Sequence, residues 1–192
     1  MDRTGRASSR EAWLARAGFT DAASAARLLD SADLSGGALD DTVLAAVGRS
    51  ADPNRALVAL GRLLDAVDDR TALVAALSED ERLLGRFAAV LGLSTALADH
   101  LVRHPQQWHS LADVDAHRRP GASELRATML DAVGADSESA TPVAAGPELD
   151  ALRVAYRRQL LEIAALDLAD GMDVARVSAE LADLAAATLE AG

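Results

Sequence analysis

Four histidines, His100, His104, His109 and His117, lie close together in the chain. His100 and His104 stand four residues apart, a spacing that on a helix can bring two imidazoles onto one metal ion. Asp99 or Asp113 could complete a zinc or nickel site of that kind. Three features weigh against it. No His-Glu-x-x-His motif is present, Pro105 breaks the helix directly after His104, and the chain has no cysteine to offer a thiolate. A working site also needs a third ligand and outer groups that orient the imidazoles. Histidines beside a helix C-terminus have a simpler use, because a partly charged ring meets the helix dipole favourably there. The expectation is that these residues hold no metal.

Gly36-Gly37-Ala38-Leu39-Asp40-Asp41 sets a glycine turn beside two carboxylates, the ingredients of two-metal nucleotidyl transfer. That chemistry wants carboxylates converging from one face of a strand, which alternation gives to residues two apart and denies to neighbours. Asp40 and Asp41 read instead as the start of a helix. The Arg157-Arg158 pair could touch phosphate but reads as the solvated face of a helix. Trp108, near Pro105, reads as a packing anchor rather than a binding ring. There is no Gly-x-Gly-x-x-Gly after a strand, and without a single lysine no Walker A loop can form. No serine near the histidines forms a nucleophile elbow. No catalytic, cofactor-binding or metal residue is therefore assigned.

The elements that would position these groups are helices. Ser8-x-x-Glu11 has the capping-box pattern and opens a helix through Trp13 and Leu14 that Gly18 stops. Thr20 caps a second reaching Leu29, and Asp40 or Asp41 starts a third that Gly48 ends. Asp52-Pro53 supplies a cap and a first-turn proline for a helix with Leu57, Leu60, Leu64 and Val67 on one face. Thr71 to Leu77 forms a short helix. Ser78-x-x-Glu81 caps the next, running Leu83, Leu84, Phe87, Val90 and Leu91 to a stop at Gly92. Ser94 caps a helix that Pro105 must end, and Ser123 to Val133 forms another. Toward the end come two long amphipathic helices separated by Gly171. Leu149, Leu152, Tyr156, Ile163 and Leu166 line the first; Val174, Val177, Leu181 and Leu184 form an a/d-type seam on the second.

No stretch alternates with period two, so no strand is expected. The fold class is all-α, with short N-terminal helices bundled with two long C-terminal amphipathic helices. Residues 1–50 read as variable N-terminal helices, 51–133 as a helical array, 134–147 as a small, polar, proline-punctuated linker and 148–192 as the long helical pair.

At 192 residues the chain is long enough to bury a real core. Half of it is hydrophobic but only 3% is aromatic, so Leu, Val and Ala must fill that core. The net charge of −11 opposes contact with phosphate backbones and anionic lipid, which excludes nucleic-acid and membrane binding by charge. No apolar run approaches the ~20 residues of a spanning helix, and the N-terminus has no signal-peptide block. A cytoplasmic location is expected.

Three patches carry a resemblance. In Leu83–Leu111 a helix leads through Gly92 and Ser94 into a second that ends in Arg103-His104-Pro105 with Trp108 beyond. In Leu152–Glu190 an arginine-bearing helix is followed by an acidic, leucine-rich one. Asn54-Arg55-Ala56-Leu57 to Leu64 fits the helix that spaces them. In order and separation these resemble the helical segment preceding the catalytic core in the glutamine synthetase adenylyltransferase / adenylyl-removing enzyme family. The resemblance runs from Asp52 onward, and the first fifty residues take no part in it. The family commonly has Arg-Asp-Leu where this chain reads Leu166-Asp167-Leu168, so that arginine is missing.

The resemblance implies a bifunctional regulator of nitrogen assimilation. It adds AMP from ATP to a tyrosine of glutamine synthetase and removes it with orthophosphate to give ADP. Mg2+ is held by Ser-Asp-x-Asp carboxylates on a Gly-rich strand, and a PII signalling protein and glutamine bias the balance. No position of this chain matches that motif. The expectation is a helical part of the enzyme, inactive alone, whose partners are a downstream nucleotidyltransferase domain, glutamine synthetase and PII. The other reading is a stand-alone helical interaction module with no enzymatic activity.

Overall fold

The computed structural model describes residues 3–31, 39–113, 118, 120–138 and 149–192, with side chains from residue 9 onward. Among these it contains eleven α-helices, one 3-10 turn and no strand: the fold is all-α. The helices are α1 (Arg3–Ala17), α2 (Ala22–Asp30), α3 (Asp41–Gly48), α4 (Pro53–Ala66), α5 (Arg70–Glu79), α6 (Glu81–Leu93), α7 (Thr95–Arg103), α8 (Trp108–Asp113), α9 (Ala122–Ala132), α10 (Leu149–Asp170) and α11 (Val174–Ala191). The 3-10 turn is Pro105–Gln107, between α7 and α8. None of the described helices is long and apolar enough to cross a membrane.

The chain divides into two compact units, 1–112 and 113–192. In the first, α4 is the central helix and packs against α2, α3, α5, α6 and α7. Leucines at 57, 60, 63 and 64 are buried almost completely, while Val67, at the C-cap, stays half-buried. Around them sit Leu14, Val43, Leu73, Leu77, Leu83, Phe87, Val90 and Leu101. A core of this kind follows from the composition: with few rings available, many leucines share the burial.

Aspartate does most of the capping. Asp40, Asp52 and Asp69 each accept an amide three residues on, at 2.8, 3.0 and 2.9 Å. Asp80 accepts from the amides of both Arg82 and Leu83. Each satisfies a donor that the helix start leaves without an intrahelical partner. Asp80 and Ser94 are each at once the C-cap of one helix and the N-cap of the next, so α5, α6 and α7 are joined by single extended residues.

Several expected boundaries move. The helix assigned to Ser8 begins at Arg3, which places Ser8 inside it. Asp21, not Thr20, caps α2, accepting from Ser24 N at 2.8 Å. Thr20 instead donates its hydroxyl to Asn54 Oδ1 at 2.9 Å, and the Asn54 amide also bonds the backbone of Asp21 on both sides. Ser78 lies within α5, and Asp80 caps α6. Gly92 does not stop α6, which continues to Leu93; its missing side chain leaves room for Ser50, whose Cβ would lie 2.6 Å from an added Cβ. Gly36 to Ala38, His117 and most of the 134–147 segment lie outside the described residues.

Gly18 stops α1 as the sequence suggests. Phe19 N donates to Leu14 O and Gly18 N to Ala15 O, a Schellman closure in which Leu14 and Phe19 are both buried. Gly18 has φ +117°, and a Cβ there would run into the carbonyl of Gly48; one at Gly48 would run into that of Ala17. The two glycines let the end of α1 and the end of α3 touch backbone to backbone.

The second unit is built from α9, α10 and α11, with α9 and α10 both packed on α11. Its core is Leu125, Met129, Leu130, Val133, Leu152, Ile163, Leu184 and Ala187 with smaller neighbours. Gly134, at φ +67°, closes α9 as Gly18 closes α1, with Ala135 N donating to Leu130 O and Gly134 N to Asp131 O. The seam read on α11 is corrected by one step. Val174 and Leu181 face solvent, and the inward positions are Val177, Glu180, Leu184, Ala187 and Ala191. On α10, Leu149 is likewise half exposed, although Leu152, Ile163 and Leu166 are buried as expected.

Candidate functional site

Three of the histidines singled out for chemistry, His100, His104 and His109, lie with Trp108 at the corner between α7 and α8. His100 ends up inside, only 1% exposed, with Nε2 2.8 Å from Gln107 Oε1. Its ring lies 4.8 Å from that of half-buried His104, centroid to centroid and tilted by 47°. His109 is exposed and stacks on Trp108 with ring centroids 3.8 Å apart. Asp99 points elsewhere, into an ion pair with Arg62 Nη1 at 2.7 Å that ties α7 to α4. Asp113 is exposed at the end of α8. Among the described residues no three His, Cys, Asp or Glu side chains group so as to hold a metal ion.

The corner is held by polar groups that were not singled out from the sequence. Arg86, on α6, is 3% exposed and donates from Nη1 to the carbonyl of Leu111 at 2.8 Å. A buried guanidinium must find such acceptors, because an unpartnered one would cost several kcal/mol. The signal was present: Arg86 falls on the same helical face as Leu83, Phe87 and Val90, where a charge has to be explained. Gln107 gave no such signal, since its role depends on the turn at Pro105 bringing it back over α7. Trp108 is buried, as a packing anchor should be.

The remaining candidates take ordinary structural places. Asp40 caps α3 and Asp41 is exposed in its first turn. Arg157 and Arg158 are both exposed on α10, and Arg158 pairs with Glu162 one turn on.

The second unit carries the better-defined surface. Arg126, on α9, grips both carboxylate oxygens of Glu190, on α11, through Nε at 2.8 and 3.0 Å, and reaches the carbonyl of Ser137. The bond to Glu190 raises the Arg126 pKa above its ordinary value. Arg118 contacts both oxygens of Glu124 at 2.7 Å and holds that carboxyl below the usual range. On α11, Arg176 Nε bonds Glu180 Oε1 at 2.7 Å, and Glu180 is 1% exposed. The charges of α11 are Arg176, Glu180, Asp183 and Glu190, and every one is engaged. The outward arc of the helix is Val174, Ser178, Leu181, Ala182, Ala185, Ala186 and Leu189, all exposed and none charged. Val174 and Leu189 are 76% and 83% exposed.

What the described residues offer is a scaffold of capped helices with one uncharged helical face; of the groups that looked reactive in sequence, His100 and Trp108 are buried in packing, Asp40 is a helix cap, and His109, Asp41, Asp113, Arg157 and Arg158 are exposed. A family model described as glutamate-ammonia ligase adenylyltransferase matches residues 84–192, and the chain belongs to that family. It is similar to the bifunctional glutamine synthetase adenylyltransferase/adenylyl-removing enzyme of Streptomyces avermitilis, 45% identical over 199 residues covering 100% of this chain. The enzyme of the same name from Streptomyces coelicolor is 46% identical over 197 residues, covering 97% of the chain. That from Mycolicibacterium smegmatis is 44% identical over 163 residues, covering 79%. The chain spans 18% of the length of the two Streptomyces relatives and 16% of the third. The first fifty residues, which carried none of the resemblance read from sequence, are included in the match to the S. avermitilis enzyme. No solved structure matches the chain.

Proposed function

We propose that this chain is a helical framework of a bifunctional glutamine synthetase adenylyltransferase/adenylyl-removing enzyme, and that its task is to carry and orient the nucleotidyltransferase part. In that reading the enzyme transfers AMP from ATP to a tyrosine of glutamine synthetase and takes it off again with orthophosphate. Mg2+ and ATP belong to the catalytic part, and no residue of this chain is assigned to them. Glutamine synthetase is the substrate protein, and a PII protein is the signal that shifts the balance. The observation that carries the reading is the identity of 45% across the whole chain, which extends through both units.

The test is an adenylylation assay on the purified chain with glutamine synthetase, Mg2+ and ATP, beside a second with adenylylated glutamine synthetase and phosphate. Neither should proceed. Deleting the matching segment from the full-length S. avermitilis enzyme should abolish or strongly depress at least one of its two activities. Turnover by this chain that is lost on Asp40→Ala would overturn the proposal, as would a full-length relative indifferent to the deletion.

A further inference from the structure

We infer that Met172, in the turn between α10 and α11, is an oxidation site through which a peroxide loosens the second unit. The chain has no cysteine, so its oxidisable sulfur is confined to three methionines, Met1, Met129 and Met172. Met1 lies outside the described residues. Met129 is fully buried in the core of the second unit, which keeps oxidants from its sulfur. Met172 packs against that same core but is only partly buried. Oxidation of a thioether follows its exposure, and the disruption that results follows the apolar contacts it had made. Of the described methionines, Met172 has both.

The turn depends on that contact more than the earlier helix junctions do on any one side chain's packing. Gly171 lets the chain leave α10 in the left-handed region, at φ +70°, and an added Cβ there would meet nothing within 4 Å, so the turn lies open. Asp173 stands at the N-cap of α11, yet its side chain makes no capping bond. From α2 to α7 every helix start is held by an aspartate or serine side chain. At α11 that hold is missing, and of the turn residues Gly171, Met172 and Asp173 only Met172 packs on the core.

In the reaction a sulfur lone pair attacks one oxygen of hydrogen peroxide. The S–O bond forms as the O–O bond breaks; sulfur is oxidised, the peroxide is reduced, and the departing hydroxide takes the remaining proton and leaves as water. The sulfoxide is polar and accepts hydrogen bonds, so it favours water over the apolar neighbours of Met172. The turn then opens, and α11 loses its hold on α10 at that end. Two thiols reduce the sulfoxide to the thioether, giving their own disulfide and water, so the change is reversible.

The experiment treats the folded chain with dilute hydrogen peroxide and follows each methionine peptide by mass. Met172 should gain its oxygen about tenfold or more faster than Met129. The oxidised chain should melt several degrees lower by backbone dichroism, and a methionine sulfoxide reductase with a dithiol should restore the midpoint. Met172→Leu keeps an apolar side chain of similar volume without the sulfur, and its midpoint should not change on the same treatment. Met172→Gln puts a polar group at the same place and should lower the midpoint with no oxidant. Oxidation of Met172 no faster than that of Met129 overturns the inference, as does a midpoint that Met172 oxidation leaves in place. An equal fall in the Met172→Leu protein overturns it too, because the damage then lies elsewhere. None of these readouts involves glutamine synthetase, so the functional reading stands or falls separately, on the segment deletion.

Discussion

At the scale of single residues, the contact between Gly18 and Gly48 is the least replaceable in the first unit. Gly18 needs a left-handed backbone and has no room for a Cβ. Gly18→Ala should cost at least about 1–3 kcal/mol from backbone strain, before the clash is counted. The measurement is a lowered urea midpoint. Leu63, fully buried on α4, should lose about 2–5 kcal/mol as Leu63→Ala by the same measurement. Asp21 makes a prediction about pH. Hydrogen bonds from Ser24, through its side chain and then its amide, hold the carboxyl below its ordinary value. The stability it contributes is complete above the unfolded pKa, about 3.9, and is lost as the pH falls through the lower folded value. Asp21→Asn keeps a capping oxygen without a titrating proton. Unfolding midpoints of the two proteins measured from neutral pH downward should therefore differ in slope only on the acid side; parallel acid limbs would contradict the cap's role.

At the scale of elements, α11 tests what a buried pair contributes. Arg176→Met leaves the Glu180 carboxylate buried without its guanidinium, and should cost something near the lower end of the ~3–5 kcal/mol seen for such breaks, since Arg176 is itself partly exposed. Changing both, Arg176→Met with Glu180→Leu, should recover most of the loss; a double variant no better than the single would mean the pair is not the cause. The same helix shows where sequence reading stops. Apolar spacing alone favours Leu181 over Glu180 for the seam, because nothing in the sequence says that Arg176 will neutralise Glu180 inside. Caps tell a similar story. Asp52 and Ser94 were legible because each directly precedes the apolar run of its helix, while the start of α3 was legible only as Asp40 or Asp41, of which Asp40 takes the amide. At Thr20 and Ser78 a hydroxyl was favoured where an aspartate one or two residues later takes the amide. The histidines were legible as a cluster, and the proline after His104 as its corner. That His100 would be buried against Gln107 was not, because it depends on the path of the chain after Pro105. Arg86 could have been found from its place on an apolar face.

At the scale of the whole molecule, sequence periodicity and capping were enough for the all-α class, since that class depends only on local grammar repeated many times. The division into two units depends on which helices meet, and α9 packs with α10 and α11 although the sequence groups it with the helices before it. This division has an optical consequence. Both tryptophans, Trp13 and Trp108, and both phenylalanines fall in the first unit, whereas the single tyrosine, Tyr156, falls in the second. Indole emission therefore follows the unfolding of the first unit only, while backbone dichroism at 222 nm, roughly the usual helix band, sums both. Heating one unlabelled sample and recording the two signals together will show whether they melt as one body. Coincident curves mean a single cooperative transition, and a dichroism change that the tryptophans do not see is the second unit melting by itself.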